Sequence, residues 1–514
     1  MAEAGPSGPR TRRARRPPPT SLPDHFSRKG YLSVSDLVGP SWCEYAYQYN
    51  ILSLSHLPPA LRPETITTEA GQTLAAAADR VAAKEVTLNA GKAVHSVLEA
   101  QVAPAQVHVE THTKEDAWAL RLFNLWCDIR SLVRLQPKPP AKGSTKGKEA
   151  CVREIPVYGW IHDVFVTGVV DELSKSPLAA TDDKQKVWAS QEEWKKDARR
   201  KAKKSDAKPA RTLSAFFSTA TPASQPTEDV EPSQDAEPTK DAGREGWGYF
   251  LTDTKTRYSA WVPAEDDQHS ARMQCMTYKR LLDGLCLGAL PSASSEYGLD
   301  PNATPMDWPR TFRHLGLDAD RPLSASFVRD AAPVCESWGT DLALFVAQHD
   351  ADMCTLHHIR LLLDSALREW IHDAQRGASQ QKCPLIQQLE LCYRSRRKRR
   401  ASAEEHKDGI IGVVKFAHDP TGVDAFLADA VSMWKGQRAL VGVDVQHTRR
   451  CWSCEWQNAC EWRLSKSTPA PETHAAHHDQ QEQQDQDVDE FSEGEWWASL
   501  EGDLRDAEGN KLDW

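Results

Sequence analysis

Asp253 and Lys255 are two residues apart in segment 251–257, which reads Leu-Thr-Asp-Thr-Lys-Thr-Arg. The segment predicts a β-strand, in which alternate side chains point to the same face. On that face a carboxylate can bind a hard divalent cation, and a lysine can help a water attack a phosphodiester. Asp-x-Lys also occurs by chance in solvated strands, so this interpretation depends on support from other segments.

A second carboxylate is predicted to join this site from an earlier strand. Asp171 follows Gly168 by three residues in the apolar, β-branched segment 165–173. A charge at the end of an apolar strand is costly to bury unless something pairs with it. A cation held between Asp171 and Asp253 would provide that partner.

Two polar residues are predicted to lie on one face of a helix. Residues 68–103 are rich in alanine, and His95 and Glu99 are four apart within them, a spacing that stacks side chains on one helical face. Such pairs are mostly surface contacts. Here the pair follows Gly91 on an otherwise apolar helix, which favours a site that faces inward.

Gln274 and Tyr278 have the same spacing on a helix predicted over residues 268–284. A glutamine can hydrogen-bond a base or a phosphate oxygen, and a tyrosine can stack on a base. The alternative is a half-buried helix with polar edges.

Further elements are predicted as follows: helices over 33–49, 115–135, 352–376 and 420–438, strands over 152–159 and 384–394, and loops over most of 290–350.

Cys451, Cys454 and Cys460 form the most specific local pattern in the chain. Two cysteines separated by two residues can bind one metal from a tight turn, and the third can close over it. Three thiolates are one ligand short of a complete shell. Either His447 completes a zinc site, or a distant cysteine completes an iron–sulfur cluster, and Cys43 is the distant candidate that we favour.

Length and composition limit the remaining possibilities. The chain has 514 residues, a formal net charge of −10 and 12 cysteines. This length predicts one large domain with insertions or two domains. The net charge argues against nucleic acid, but the charges are unevenly distributed. We expect no membrane span, because no run of about 18 apolar residues occurs. The absence of an apolar signal segment predicts a reducing, intracellular setting.

Three segments have compositions typical of disorder: the basic residues 1–28, an insertion at 176–245 and the acidic tail 466–514. The first resembles either a mitochondrial transit peptide or a nuclear basic tail. The basic run 195–204 is a nuclear address, a DNA-contacting arm or a solvated segment, and 394–400 is a phosphate-contacting or nuclear-import loop. Leu213, Phe216 and Phe217 resemble a sliding-clamp motif that lacks its leading glutamine, although chance matches are common.

Six elements therefore occur in a fixed order along the chain. They are Cys43, Gly91-Lys-x2-His95-x3-Glu99, Gly168-x2-Asp171, Asp253-x-Lys255, Gln274-x3-Tyr278, and Cys451, Cys454 and Cys460. This order resembles exonuclease V, a RecB-type nuclease of the PD-(D/E)xK superfamily with an iron–sulfur cluster. The resemblance covers roughly residues 30 to 465 without the insertion.

The resemblance implies an α/β fold with a restriction-endonuclease-like core, in which helices flank a mixed sheet. The nuclease domain would span 29–465, closed by the cluster and interrupted by 176–245. The implied protein is a monomeric, Mg²⁺-dependent exonuclease that acts on single-stranded DNA, with a leaning towards 5′ ends, in DNA repair or mitochondrial DNA maintenance. Its expected location is the nucleus, the mitochondrion or both. The alternative is a non-catalytic DNA-binding adaptor with a zinc finger at His447 and the three clustered cysteines.

The resemblance also implies roles for individual residues. Asp171 and Asp253 would bind Mg²⁺ with the help of His95, and Lys255 would assist the attacking water. Glu99 would support the catalytic site, while Gln274 and Tyr278 would position the DNA strand. A 4Fe–4S cluster would be held by Cys43, Cys451, Cys454 and Cys460.

Overall fold

The structure is a computed structural model and describes residues 17–102, 109–136, 150–178, 246–259, 261–291, 297–378, 384–395 and 409–466. Several predicted features lie outside these residues. They are the basic run 195–204, the clamp-like motif with Leu213, Phe216 and Phe217, residues 396–400 of the basic loop, and the acidic tail from 467 onwards.

A mixed six-stranded sheet forms the centre of the fold. Its strands are β1 (Leu32–Ser33), β4 (Ala150–Ile161), β5 (Val164–Pro177), β6 (Trp247–Arg257), β7 (Gln388–Ser395) and β8 (Ile410–Phe416), and a separate ribbon pairs β2 (Ile66–Thr67) with β3 (Thr73–Leu74). The main order is β1-β5-β6-β7-β8, and β4 also pairs with β5. The β1–β5 and β6–β7 pairs are parallel, and the other pairs are antiparallel.

The register around β5 follows from a tight turn. His162 and Asp163 have φ values of 44° and 63°, as the two central residues of a type I′ hairpin turn require. The turn sets β4 against β5 from Ile161 and Val164 outwards. Strand β5 also pairs with β6 across the insertion. The length of the insertion does not prevent this pairing, because the cost of closing a loop grows only slowly with its length.

Helices surround the sheet and bury its apolar side chains. They are α1 (Leu22–Lys29), α2 (Val34–Val38), α3 (Glu44–Leu52), α4 (Ala78–Val102), α5 (Lys114–Arg134), α6 (His269–Ala289), α7 (Trp308–His314), α8 (Ala325–Ser337), α9 (Leu342–Ala347), α10 (Leu356–Ala378), α11 (Pro420–Trp434) and α12 (Glu461–Lys466). The main core includes Trp126 on α5, Tyr278 on α6 and Trp370 on α10. The described chain is therefore a mixed sheet flanked by helices, as predicted.

Three sequence-based expectations about the elements were wrong. The region 290–350 contains α7, α8 and α9 rather than mainly loops. These helices are capped by side chains that accept hydrogen bonds from backbone N–H groups, namely those of Asp307, Ser324 and Asp341. Capping residues mark where a helix begins, but the helices here are short and their apolar periodicity is weak, so the sequence did not reveal them. The long helix starts at Ala78 rather than near 68, because the β2–β3 ribbon precedes it. Residues 22–28, assigned to a disordered tail, belong to α1.

Helix α1 is folded because its own sequence contains a start signal and an apolar anchor. Ser21 accepts a hydrogen bond from the N–H of Asp24, a proline follows in the first turn, and Leu22 is fully buried. The ring of His25 lies 6.0 Å from that of Trp434 on α11. An overall composition rich in proline and arginine concealed these local signals.

Asp36 joins the three N-terminal helices and gives a pH-dependent prediction. Its carboxylate accepts hydrogen bonds from Lys29 Nζ and Ser33 N–H, both at 2.8 Å, and from Tyr47 OH at 2.7 Å. Burial alone would raise the pKa of Asp36, but Lys29 and Ser33 lower it to about 2. A lowered pKa stabilises the fold above the unfolded value near pH 4 and loses this effect as pH falls towards 2.

We therefore expect Asp36→Asn to reduce the free energy of unfolding by about 2 kcal/mol at pH 7. Urea denaturation at pH 7 and pH 3 measures the difference between variant and wild type, which should be smaller at pH 3. The surface residue Asp24, paired with Arg28, provides the control, since Asp24→Asn should have a much smaller effect. Equal losses at both pH values would contradict this account of Asp36.

Candidate active site

Asp171 and Asp253 lie opposite each other on neighbouring strands. The β5–β6 pairs begin with Glu172 and Thr252, so the two aspartates occupy the next opposing positions. The N–H of Thr254 donates a hydrogen bond of 2.8 Å to Asp171 Oδ2, which holds the Asp171 carboxylate beside the backbone of β6. Two acidic residues from distant parts of the sequence are thus brought to one place.

Lys255 lies at the same place. Its Nζ is 3.1 Å from Asp253 Oδ2, as expected for side chains on one face of a strand. Lys255 Nζ also donates a hydrogen bond of 2.9 Å to Gln274 Oε1 on α6. The Lys255 ammonium is therefore held between the Asp253 carboxylate and the Gln274 amide, close to any ligand that the two aspartates bind.

The Asp253 carboxylate has one charged partner and is otherwise short of hydrogen-bond donors. The residue is 1% exposed, and apart from the Lys255 ammonium 3.1 Å from Oδ2, neither oxygen has a donor among the described residues. Burial raises its pKa to about 6, with Lys255 opposing this shift and Asp171 adding to it. Burial also raises the pKa of Asp171, against the effect of His95. A divalent cation would offset these costs, since oxygen-rich sites are those that Mg²⁺ prefers.

Helix α4 places His95 over the edge of this site. His95 Nδ1 is 3.8 Å from Glu154 Oε1 and 3.9 Å from Asp171 Oδ2. The ligand atoms of these three residues all lie within 4.8 Å of one another, which makes them the one such group among the described residues. His95 therefore lies where the resemblance implied a metal ligand.

Glu154 was not among the residues predicted to form the site. Arg153 pairs with Glu172 and Ile155 with Val170, so Glu154 stands opposite Asp171 in the β4–β5 hairpin. The sequence did contain a signal for this position. A hairpin turn at His162 and Asp163 pairs Ile161 with Val164. Continuing this pairing residue by residue away from the turn places Glu154 opposite Asp171.

Glu99 lies on the same helix as His95 but outside the group of possible metal ligands. It is half-buried on α4 and is not part of the group whose ligand atoms lie within 4.8 Å of one another. Its supporting role in the catalytic site stays a prediction. Glu154 supplies the carboxylate from the sheet instead.

Gln274 and Tyr278 lie beneath the site rather than on an open DNA-binding surface. They are 7% and 1% exposed. Gln274 Nε2 donates a hydrogen bond of 3.1 Å to Tyr278 OH, while its Oε1 accepts from Lys255. The Tyr278 ring passes so close to Gly168 that a Cβ at this glycine would lie 2.8 Å from it. The two residues therefore position Lys255, and Tyr278 offers no exposed ring to a base.

The four predicted cluster ligands meet in a second, smaller core at the ends of the described chain. Cys43, Cys454 and Cys460 are buried there with Tyr49 and Trp456, and Cys451 packs against them. Burial raises the pKa of the Cys43 thiol to about 12, and the neighbouring Cys460 and Cys451 add to this. We call this cluster of residues the terminal core.

The terminal core is also joined by polar contacts between the two chain ends. Trp456 Nε1 donates a hydrogen bond of 3.0 Å to Asn50 Oδ1, and Arg438 forms an ion pair of 2.6 Å with Glu44. On the α4 side, Arg80 donates a hydrogen bond of 2.8 Å to the Cys454 carbonyl. The cysteine segment is therefore attached to the helix that carries His95.

A single zinc ion brings its ligands close together, because tetrahedral ligands at about 2.3 Å from zinc lie about 3.8 Å apart. Over the part of the chain that the structure describes, no three of Cys43, His447, Cys451, Cys454 and Cys460 have ligand atoms within 4.8 Å of one another. Four cysteines are the ligand set that an iron–sulfur cluster uses.

Across the described ranges, no helix is both long enough and apolar enough to cross a membrane.

Comparison with known proteins agrees with the geometry of the site. The family model of exonuclease V, described as a 5′ deoxyribonuclease, matches residues 23–463. Exonuclease V of Danio rerio is 22% identical over 450 residues, which cover 88% of this chain and 74% of the relative. The matched range contains the positions of both aspartates, of Lys255 and of all four cysteines of the terminal core. The chain therefore belongs to the exonuclease V family and is an exodeoxyribonuclease.

Proposed function

We propose that this protein is a Mg²⁺-dependent exonuclease that degrades single-stranded DNA from its 5′ end through a PD-(D/E)xK-type site. The observation that carries the proposal is the buried Asp253 carboxylate, which lies opposite Asp171 and has, among the described residues, no hydrogen-bond donor besides the Lys255 ammonium. In an exodeoxyribonuclease, such a carboxylate is best explained as a ligand for a divalent cation. The family description is the basis for the 5′ polarity.

The residues divide the work of phosphodiester hydrolysis between them. Asp171 and Asp253 would hold Mg²⁺, which when bound acts as a Lewis acid on the phosphate and favours the ionisation of water. Lys255 stabilises negative charge as it develops on the phosphate. Gln274, fixed by Tyr278, keeps the Lys255 ammonium in place, so this stabilisation requires little rearrangement during the reaction.

The depth of the site supports a preference for single strands. Asp253 is almost fully buried, and the His95 side of α4 lies within 4 Å of Asp171. A phosphate must enter between helix and sheet to reach a cation held there. A single strand can bend into such a position, whereas a duplex cannot do so without opening.

A direct test uses oligonucleotides labelled at either end. We expect 5′-labelled single-stranded DNA to release short labelled products at once in Mg²⁺, and 3′-labelled DNA to shorten progressively. Blunt duplex DNA should be degraded at least about tenfold more slowly. Full activity in excess chelator, or equal rates on single and double strands, would contradict the corresponding part of the proposal.

For the terminal core, we propose a 4Fe–4S cluster held by Cys43, Cys451, Cys454 and Cys460. Its role would be structural, because it would join α3 to the C-terminal segment without contacting the carboxylates. Purified without oxygen, the protein should be brown and absorb near 400 nm. A colourless protein with stoichiometric zinc would contradict this and favour the zinc alternative.

Cellular role and partners complete the proposal. The basic N-terminal residues and the DNA-degrading activity favour work in DNA repair or mitochondrial DNA maintenance, in the nucleus, the mitochondrion or both, by a monomer. Microscopy of the tagged chain in cells tests the proposed location.

The motif at Leu213, Phe216 and Phe217 would bind the sliding clamp. A clamp pull-down that is unchanged by Phe216→Ala/Phe217→Ala would refute this interaction.

A further inference from the structure

We propose that the outward face of α4 binds the acidic C-terminal segment 493–508 of the same chain, which docks there as an amphipathic helix. This interaction is independent of the proposed metal chemistry, because it uses the side of α4 that faces away from His95. The kind of partner that the face fits is therefore an acidic helix with a stripe of large apolar side chains, supplied by the chain itself.

Helix α4 carries a continuous apolar stripe on the side opposite its buried residues Leu88 and Leu98. Members of the stripe are alternately three and four residues apart, which is the spacing of a seam between two packed helices. Its two valines are 72% and 60% exposed, three of its alanines are exposed and the fourth is half-buried. The stripe, which we call the α4 stripe, consists of Ala83, Val86, Ala90, Ala93, Val97 and Ala100.

The polarity of α4 is the reverse of that of an ordinary surface helix. Its basic residues Arg80 and Lys84 contact the cysteine segment, and His95 faces Asp171, so the polar groups lie on the inward side. The positions that flank the stripe are also uncharged, and they are Ala82, Thr87, Asn89, Val94 and Ser96. An exposed face without charges along about 27 Å of helix is typical of a surface that a partner covers.

The C-terminal segment has a sequence that predicts a helix of the complementary kind. Ser492 followed by Glu495 is a capping box that begins a helix, and Gly509 marks its end. Residues 493–508 contain six acidic residues and one basic residue. Their apolar positions recur at spacings of three and four residues, and they are Trp497, Leu500, Leu504 and Ala507. Large side chains on one helix interdigitate well with small ones on the other, so this segment fits the α4 stripe.

The C-terminal residues leave the described chain near the beginning of α4. The N–H of Ala77 donates a hydrogen bond of 2.8 Å to the Glu455 carbonyl, and Thr68 donates one to Glu461 on α12. The 26 residues 467–492 span about 28 Å on average as a coil. The centre of the α4 stripe lies about 15 Å along the helix from the contacts with the cysteine segment. Residues 493–508 can therefore reach the whole stripe.

Charge and concentration favour this occupant over a second copy of the chain. Residues 467–514 contain 14 acidic and 2 basic residues, whereas residues 1–466 contain 59 acidic and 61 basic ones. The C-terminal residues are thus attracted to the rest of the chain. A tethered segment acts at an effective concentration in the millimolar range. Two copies that paired through this face would set alanine against alanine and bury little apolar area.

Photo-cross-linking of the full-length chain tests the proposal directly. The probe is p-benzoyl-phenylalanine in place of Asn89, an exposed residue beside the α4 stripe. We expect a cross-link within one chain to a peptide from 493–508, identified by mass spectrometry of the monomer band. The same probe in place of Leu344, which is exposed on α9, is the control and should not be linked to that segment.

Variants on both partners test whether the two stripes make the contact. Trp497→Ser/Leu500→Ser removes large apolar groups from the segment, and Val86→Glu places a charge on the α4 stripe. Each should lower the yield of the cross-link at least about fivefold, because a few large side chains provide most of the energy of such a contact. Trp514→Ser changes a tryptophan outside 493–508 and should leave the yield unchanged.

The position of the cross-link decides between the possible occupants. A link between two chains would identify a second copy, and a link to another part of the same chain would identify that part. Either result would overturn the proposal, as would the absence of any protein cross-link from Asn89. A link to 493–508 that Trp497→Ser/Leu500→Ser did not weaken would refute the stripe-to-stripe contact.

Hydrogen exchange provides a second measurement that requires no probe. A docked helix protects the backbone beneath it from local opening. Amides of residues 82–100 should therefore exchange at least about threefold faster in Trp497→Ser/Leu500→Ser than in wild type. Amides of α10, which lies in the main core, should exchange equally in both proteins. Equal exchange of residues 82–100 in the two proteins would contradict docking on α4.

Discussion

Asp253→Asn should lower the rate of DNA degradation at least about a thousandfold and at the same time stabilise the metal-free protein. The loss follows because the variant removes a cation ligand, and several kcal/mol of transition-state stabilisation correspond to about three orders of magnitude in rate. The metal-free variant should be more stable than the metal-free wild type because asparagine carries no charge that must be buried. At neutral pH the burial of the Asp253 carboxylate beside Asp171, which Lys255 offsets only in part, costs the folded state about 3 kcal/mol, as its raised pKa of about 6 indicates.

The pH dependence of the wild type provides the same comparison without a mutation. A carboxyl group whose pKa is higher in the folded state destabilises the fold above that pKa, and the cost disappears as the group is protonated. Metal-free wild type should therefore become more stable as pH falls from 7.5 through about 6 to 5. Asp253→Asn should show a smaller gain over this range, and saturating Mg²⁺ should reduce the gain in the wild type.

These experiments require single-turnover assays for the rate and urea denaturation for the stability. Asp266→Asn is the control, since it makes the same substitution at an exposed residue and should change neither quantity. If Asp253→Asn destabilised the metal-free protein, or retained more than a tenth of the wild-type rate, Asp253 would not be a metal ligand whose burial destabilises the metal-free fold.

Cys43→Ser should remove the proposed 4Fe–4S cluster and release the two chain ends from each other. Cys43 is the one proposed cluster ligand from the N-terminal part of the chain, and without it the thiols at Cys451, Cys454 and Cys460 cannot join α3 to the C-terminal segment. A tightly bound cofactor present at a thousand times its Kd stabilises a fold by about 4 kcal/mol. We therefore expect loss of absorbance near 400 nm, a large fall in melting temperature and rapid proteolysis after residue 436.

The same variant should reduce nuclease activity although no cluster ligand touches the carboxylates. Lys84 on α4 forms an ion pair of 3.1 Å with Glu455, and Arg450 forms one of 2.5 Å with Asp267, immediately before α6. Helix α4 carries His95, and α6 carries Gln274. When the terminal core loosens, both helices lose an anchor, so metal affinity and activity should fall together.

Cys335→Ser is the matched control for this prediction. Cys335 is fully buried on α8 and lies outside the terminal core. The variant should lose some packing energy but keep the absorbance, the protease resistance of the chain ends and the activity. If Cys43→Ser retained its absorbance near 400 nm and its melting temperature, Cys43 would not be a cluster ligand.

Much of the site could be predicted from local sequence because its members lie at fixed spacings within single elements. Alternation along a strand places Asp253 and Lys255 on one face, and the four-residue repeat of a helix joins Gln274 to Tyr278. The cysteine spacing likewise indicated a bound cofactor before any fold was known. Helix caps at Asp307, Ser324 and Asp341 were also readable, although the short helices that they begin were missed.

Tertiary structure decided which of these residues meet. The identity of the chemical groups, the strands and helices that carry them, and their order along the chain are properties of the sequence itself, because they depend on contacts between near neighbours. The choice of Glu154 over Glu99, and the burial of Gln274 and Tyr278 behind Lys255, depend on strand register and on the angle at which α4 crosses the sheet. Those quantities result from the packing of the whole core, so no local spacing could determine them.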